Sequence, residues 1–178
     1  MRPSSTLTAV LTAAAALALT ATGTSATAGA AAHGASGRPA QCREKALRIA
    51  ASPGGRHNVA RIVVTNRGAR TCVVDRIPTI TFRGLDGSAQ PVPPATSGSY
   101  VLSPGERGYA AVRTAAHGTH QGHVVRSLSV AADPAHYGVT FGAATVGMGR
   151  GIRVWEPVTT LWHTSRGGAD RALAAATR

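Results

Sequence analysis

The segment His117-Gly118-Thr119-His120-Gln121-Gly122-His123 sets three imidazoles at regular spacing in one glycine-containing loop. A compact loop can bring two or three such nitrogens onto Zn²⁺, Cu²⁺ or Ni²⁺, so His117, His120 and His123 are candidate metal ligands. No carboxylate lies within the loop to orient the rings, and a solvated loop is the competing expectation. Hydrolysis by paired carboxylates would draw on Glu44, Asp75, Asp86, Glu106, Asp133, Glu156 and Asp170. Of these, Asp86, Glu106 and Asp133 stand in turn-like contexts where carboxylates usually serve structure. Nucleophilic catalysis lacks its signposts, because no G-x-S-x-G elbow is present. No cofactor motif was identified, and the expectation is a protein that is not an enzyme.

The two cysteines, Cys42 and Cys72, are expected to form a disulfide if the chain enters an oxidising compartment. Closing a loop of about 30 residues would stabilise the fold by roughly 3–4 kcal/mol on the chain-entropy account. Two thiol metal ligands are the alternative, but they lack the close spacing of zinc sites. Export itself is read from residues 1–28. Arg2 precedes an Ala- and Leu-rich stretch from Leu7 to Leu19, and Ala26-Thr27-Ala28 offers an A-x-A cleavage site. The apolar run is broken by threonines and is shorter than the ~20 residues that span a bilayer, so no transmembrane segment is expected in the mature chain. A secreted protein, extracellular or associated with the cell wall, follows.

Charge narrows the partners. The chain carries 19 Lys and Arg against 7 Asp and Glu, a formal +12, and cleavage of the signal would remove only Arg2 of these. Attraction to anionic surfaces and polymers is the expectation. Arg61, Arg67, Arg70, Arg76 and Arg83 are the candidate polyanion-binding residues, since they crowd around one expected hairpin and the strand after it. Nucleic acid is not expected, because the bases are dispersed and no RNP-type aromatic motif accompanies them. An anionic cell-wall polymer or an extracellular protein is the favoured partner, and the oligomeric state is not assigned. Tyr100, Tyr109, Trp155 and Trp162 are potential aromatic anchors, with packing the stronger reading for each.

The elements that must position these residues read as strands. Residues 29–40 contain little to bury and form a flexible leader; residues 41–163 form the domain; residues 164–178 form a short Ala-rich tail capable of a helical turn or two. Within the domain, Ile62 and Val64 alternate with Arg61, Val63 and Thr65, and Asn66-Arg67-Gly68 is expected to turn the chain into a hairpin. Ile80 and Phe82 alternate with Thr79 and Thr81, while Pro91, Pro93 and Pro94 forbid a central strand. Tyr100 to Leu102 leads into Ser103-Pro104-Gly105-Glu106, whose Pro and Gly fit a type II turn before Tyr109 to Arg113. Val124, Leu128 and Val130 are expected on one face, as are Ile152, Val154 and Val158. The fold class is all-β, an immunoglobulin-like antiparallel β-sandwich of about seven to nine short strands.

The order of these landmarks resembles a family of secreted actinobacterial proteins, domain of unknown function family 4232. The landmarks are Cys42, Asn66-Arg67-Gly68, Cys72, Pro78, Asp86-Gly87, Leu102-Ser103-Pro104-Gly105 and the strand from Ile152 to Val158, and they span roughly residues 41 to 160. Some members place another cysteine near residues 117 to 127, where this chain has histidines instead. The resemblance implies a secreted β-sandwich and transfers no catalytic residue.

Overall fold

The computed structural model describes residues 39–177. The expected signal peptide and nearly all of the expected leader lie outside the described residues. Among these residues, twelve short strands and one α-helix follow a 3₁₀ turn at Glu44–Ala46. The strands are β1 (Leu47–Pro53), β2 (Val59–Asn66), β3 (Cys72–Asp75), β4 (Thr79–Phe82), β5 (Gln90–Val92), β6 (Ser99–Leu102), β7 (Arg107–Arg113), β8 (His123–Val125), β9 (Ser127–Ala131), β10 (Val139–Gly142), β11 (Ile152–Val154) and β12 (Val158–Thr160). Helix α1 is Arg166–Ala176. The fold is all-β and sandwich-like, with more and shorter strands than the sequence suggested.

The largest sheet runs β1-β2-β7-β12-β5, antiparallel except that β5 lies parallel to β12. The other ladders are β10-β9-β4, β11-β8 and β3-β6. β2 shows why the alternation was legible: Ile62 and Val64 are fully buried while Arg61, Val63 and Thr65 are only half-covered. Ile62, Val64, Ala110 and Val112 from the large sheet share one core with Val74, Leu102, Ile80, Phe82, Leu128, Val130 and Ile152 from the smaller ladders. Pro91 sits on β5 at the edge of its sheet, where a missing N–H costs least.

The strand pairing departs from the local pattern in several places. No hairpin joins β2 to β3; β2 pairs with β1 and β7, whereas β3 pairs with β6. The buried Asn66 explains the crossing. Its Nδ2 donates to the carbonyls of Leu102 at 2.9 Å and Arg70 at 2.8 Å, and its Oδ1 accepts from Gly68 N at 2.8 Å. Its backbone O accepts from Gly105 N at 2.8 Å. An Asn-x-Gly turn and a Leu-x-Pro-Gly turn thus meet and bolt two sheets together. The second turn has the expected form, with Gly105 at φ 77° and Glu106 N bonded to Ser103 O at 2.9 Å.

The expected single strand from Val124 to Ala131 breaks at Arg126 into β8 and β9, and Val124 points to solvent, 62% exposed. Val158 also parts from Ile152 and Val154, because β12 joins the large sheet while β11 pairs with β8. Residues beyond 163 carry more than a tail. Ser165 accepts a hydrogen bond from Gly168 N at 3.1 Å and starts α1, whose Ala169 and Leu173 are buried. They form a second apolar cluster with Val59 and Ala111 on the outer face of the large sheet, flanked by Tyr109, Val92 and Val158.

Candidate functional site

The outer faces of β2 and β7 carry Val59, Arg61, Ala111 and Arg113 in two cross-strand pairs, Val59 with Arg113 and Arg61 with Ala111. Helix α1 covers part of this face, and between them opens a cleft of about 650 Å³. Its rim is the Gly54-Gly55-Arg56-His57 turn and the stretch from Ala115 to His117; its helical wall is Asp170, Leu173, Ala174 and Thr177. Gly54 is required for the rim, because a Cβ there would collide with Val59. The turn is fixed by Gly54 N to Val59 O at 2.9 Å and by Thr114 N to Asn58 O at 2.8 Å.

Arg61 braces the helix. Its Nε donates to Asp170 Oδ1 at 3.0 Å and its Nη2 to Asp170 Oδ2 at 2.9 Å, the only salt bridge among the described residues. The hydrogen bond to Asp170 holds the Arg61 guanidinium above its ordinary value. Arg61 is therefore spent on the protein itself rather than offered freely to a polymer. Arg113 differs: its Nε is buried without a hydrogen-bond partner among the described residues.

The remaining candidate arginines do not share a hairpin. Arg67 and Arg70 are exposed in the connection after β2. Arg76 lies half-covered along Gly98, with Nε donating to Thr96 O at 2.8 Å. Arg83 is exposed just after β4, whose ladder is separate from that of β2.

The three histidines diverge. His117 lines the cleft, the backbone carbonyl of His120 accepts from Arg153 Nη1 at 3.0 Å, and His123 opens β8 opposite Val154. No group of three or more His, Cys, Asp or Glu among the described residues could hold a metal ion, so the spacing does not become a three-histidine site. The loop is bent by Gly118 and Gly122, both at positive φ, and a Cβ on Gly122 would run into Val154 O.

Asp75 and Asp133 come together, as paired-carboxylate chemistry would need, but backbone donors hold them. Asp133 Oδ2 accepts from Asp75 N at 3.2 Å and its Oδ1 from Ala135 N at 3.0 Å. Asp75 Oδ1 accepts from Ile77 N at 2.8 Å, and its Oδ2 accepts from the Ser97 hydroxyl. The aromatic residues divide in a similar way. Trp162 is buried at 5% exposure, Tyr100 packs against the main core and Tyr109 against the α1 cluster, leaving Trp155 at 41% exposure. Burial pushes the Tyr100 phenol up, with smaller contributions from Glu106 and Tyr109.

Sequence reasoning missed Arg56, His57, Arg113 and Asp170 as neighbours. Only the helix had a local signal, Ser165 as a cap followed by Ala169 and Leu173 four residues apart.

Cys42 and Cys72 are joined in a disulfide, and Cys42 N donates to Val73 O at 2.8 Å beside it. No helix among the described residues is long and apolar enough to cross a membrane. No curated protein and no solved structure matches the chain at a significant level. A family described as a domain of unknown function, DUF4232, matches residues 42–162. From the disulfide at Cys42 to the buried Trp162, the match takes in the sheets that carry the cleft floor and stops before α1, and the chain belongs to this family.

Proposed function

We propose that the chain is an exported, non-enzymatic binding module for anionic polymers of the cell envelope. The observation that carries the reading is the imbalance of charge: a formal +12, with a single salt bridge among the described residues. Basic side chains that find no internal counter-charge hold a positive field at the surface, and such a field gathers polyanions. The disulfide supports an oxidising location, and the Asp75 and Asp133 carboxylates serve as acceptors for the backbone rather than as an acid-base pair. Exposed Arg67, Arg70 and Arg83 supply diffuse attraction, while Arg61 and Arg76 act mainly within the fold.

The test is the binding of poly(glycerol phosphate) at several salt concentrations. Affinity should fall steeply as salt shortens the Debye length from ~10 Å at 0.1 M to ~3 Å at 1 M. Binding that is equally tight in high salt would overturn the electrostatic reading.

A further inference from the structure

In the α1 cleft, uncommitted positive charge and an apolar wall coincide. Three guanidiniums, Arg56, Arg61 and Arg113, line it against the single carboxylate of Asp170. That carboxylate is already engaged by Arg61 in a two-point hydrogen bond. Helix α1 turns its C-terminal end toward the same space through Ala174 and Thr177. The dipole there contributes roughly half a negative charge, and it cannot offset the remaining two arginines. Thr177 Oγ1 also donates to Leu173 O at 2.8 Å, which takes up one of the last free carbonyls.

Arg113 is the sharpest feature, a cleft-lining arginine with no ion pair among the described residues. The Nε itself is covered by protein, so it is the remainder of this half-covered guanidinium, still uncommitted to any carboxylate, that the cleft presents to an acceptor. His57 and His117 add imidazoles to the lining, and Ala174, with the little that Val59 and Leu173 leave uncovered, supplies apolar surface beside the charges. The volume, about 650 Å³, exceeds what a bare anion fills. Guanidinium forks match the non-bridging oxygens of a phosphoryl group better than a lone ammonium does.

We infer that this cleft binds a phosphate ester, its phosphoryl oxygens on Arg113 and Arg56 and its organic body against Leu173 and Val59. The inference rests on the envelope reading and deepens it, by naming the place where one phosphate unit of a polymer is held. The cleft also depends on α1, which lies beyond the residues of the family match.

The experiment is calorimetry on the full mature protein with glycerol 1-phosphate and with poly(glycerol phosphate), alongside glycerate as the carboxylate comparator. Arg113→Gln should weaken both phosphate ligands by about tenfold, the worth of one charge-assisted hydrogen bond. Arg56→Gln, on an exposed turn that no packing depends on, should weaken them too and guards against a misfolded Arg113 variant. Asp170→Asn should tighten them severalfold by releasing Arg61 toward the ligand. Unchanged affinity in both arginine variants, or equal binding of glycerate, would overturn the cleft. Loss of polymer binding only in an Arg67→Ala, Arg70→Ala, Arg83→Ala triple variant would also overturn it while leaving the envelope reading in place. Glycerol 1-phosphate binding that needs Arg113, without polymer binding, would keep the cleft and remove the envelope reading.

Discussion

The two faces of the five-stranded sheet are built from the same strands to opposite ends. On the inner face, Ile62, Val64 and Val112 are fully buried against Leu128, Val130 and Ile80 from the smaller ladders. On the outer face, a thin apolar layer of Val59 and Ala111 meets two buried residues of one short helix, and a single ion pair stands beside an open cleft. A dense face can tolerate neither a charge nor a void; a sparse face can keep both. The molecule therefore concentrates its stability on one side of the sheet and leaves its chemically versatile groups on the other.

The strongest way to break this contrast is to strike the dense face. Leu128→Ala, at a fully buried position, should cost about 2–5 kcal/mol in denaturant unfolding and lower the whole transition. Cys42→Ser removes the clamp that ties the segment before β1 to β3 and should cost about 2–4 kcal/mol, read by the same unfolding curves. Leu173→Ala strikes the sparse face, and a loss of about 2 kcal/mol there should appear first as loss of helix and of α1 amide protection. The inner strands would keep their protection. If Leu173→Ala lowered protection everywhere equally, the two faces would not be separable.

Smaller perturbations sharpen the same contrast. Arg61→Ala removes a pair whose side chains are 27% and 34% exposed, so a thermal shift worth only about 0.2–1 kcal/mol is expected, confined to α1. His163 gives the mildest test. Burial, with help from Arg171, lowers its affinity for a proton below the ordinary imidazole value. The unfolded chain then binds the proton more readily, so stability should fall as the pH drops from about 6.5 toward the lower folded value, and level off below it. His163→Gln should flatten that part of the pH–stability profile, measured by denaturant midpoints.

What the sequence made legible was local. The alternation of Ile62 and Val64, of Ile80 and Phe82, and the Pro-Gly turn at Pro104-Gly105 all express neighbours within one strand or turn. The hairpin failed because Asn66, which looks like a local turn residue, spends its amide on Leu102, 36 positions away. The triad of histidines is a related case: regular spacing fixes where residues lie along a loop, while the fold places His117 at the cleft and draws His123 into β8. The cleft was hidden because Arg61 meets Asp170 across 109 positions. No periodicity in a strand announces a partner on a distant helix.

The most direct test of the division between the two faces is an amide-resolved NMR titration of the protein with poly(glycerol phosphate). Shift changes gathered at Gly55 to His57, Arg113 to His117 and along α1, with β4 and β9 unmoved, are the predicted result. Changes centred instead on Arg67, Arg70 and Arg83, with the cleft residues still, would contradict the account.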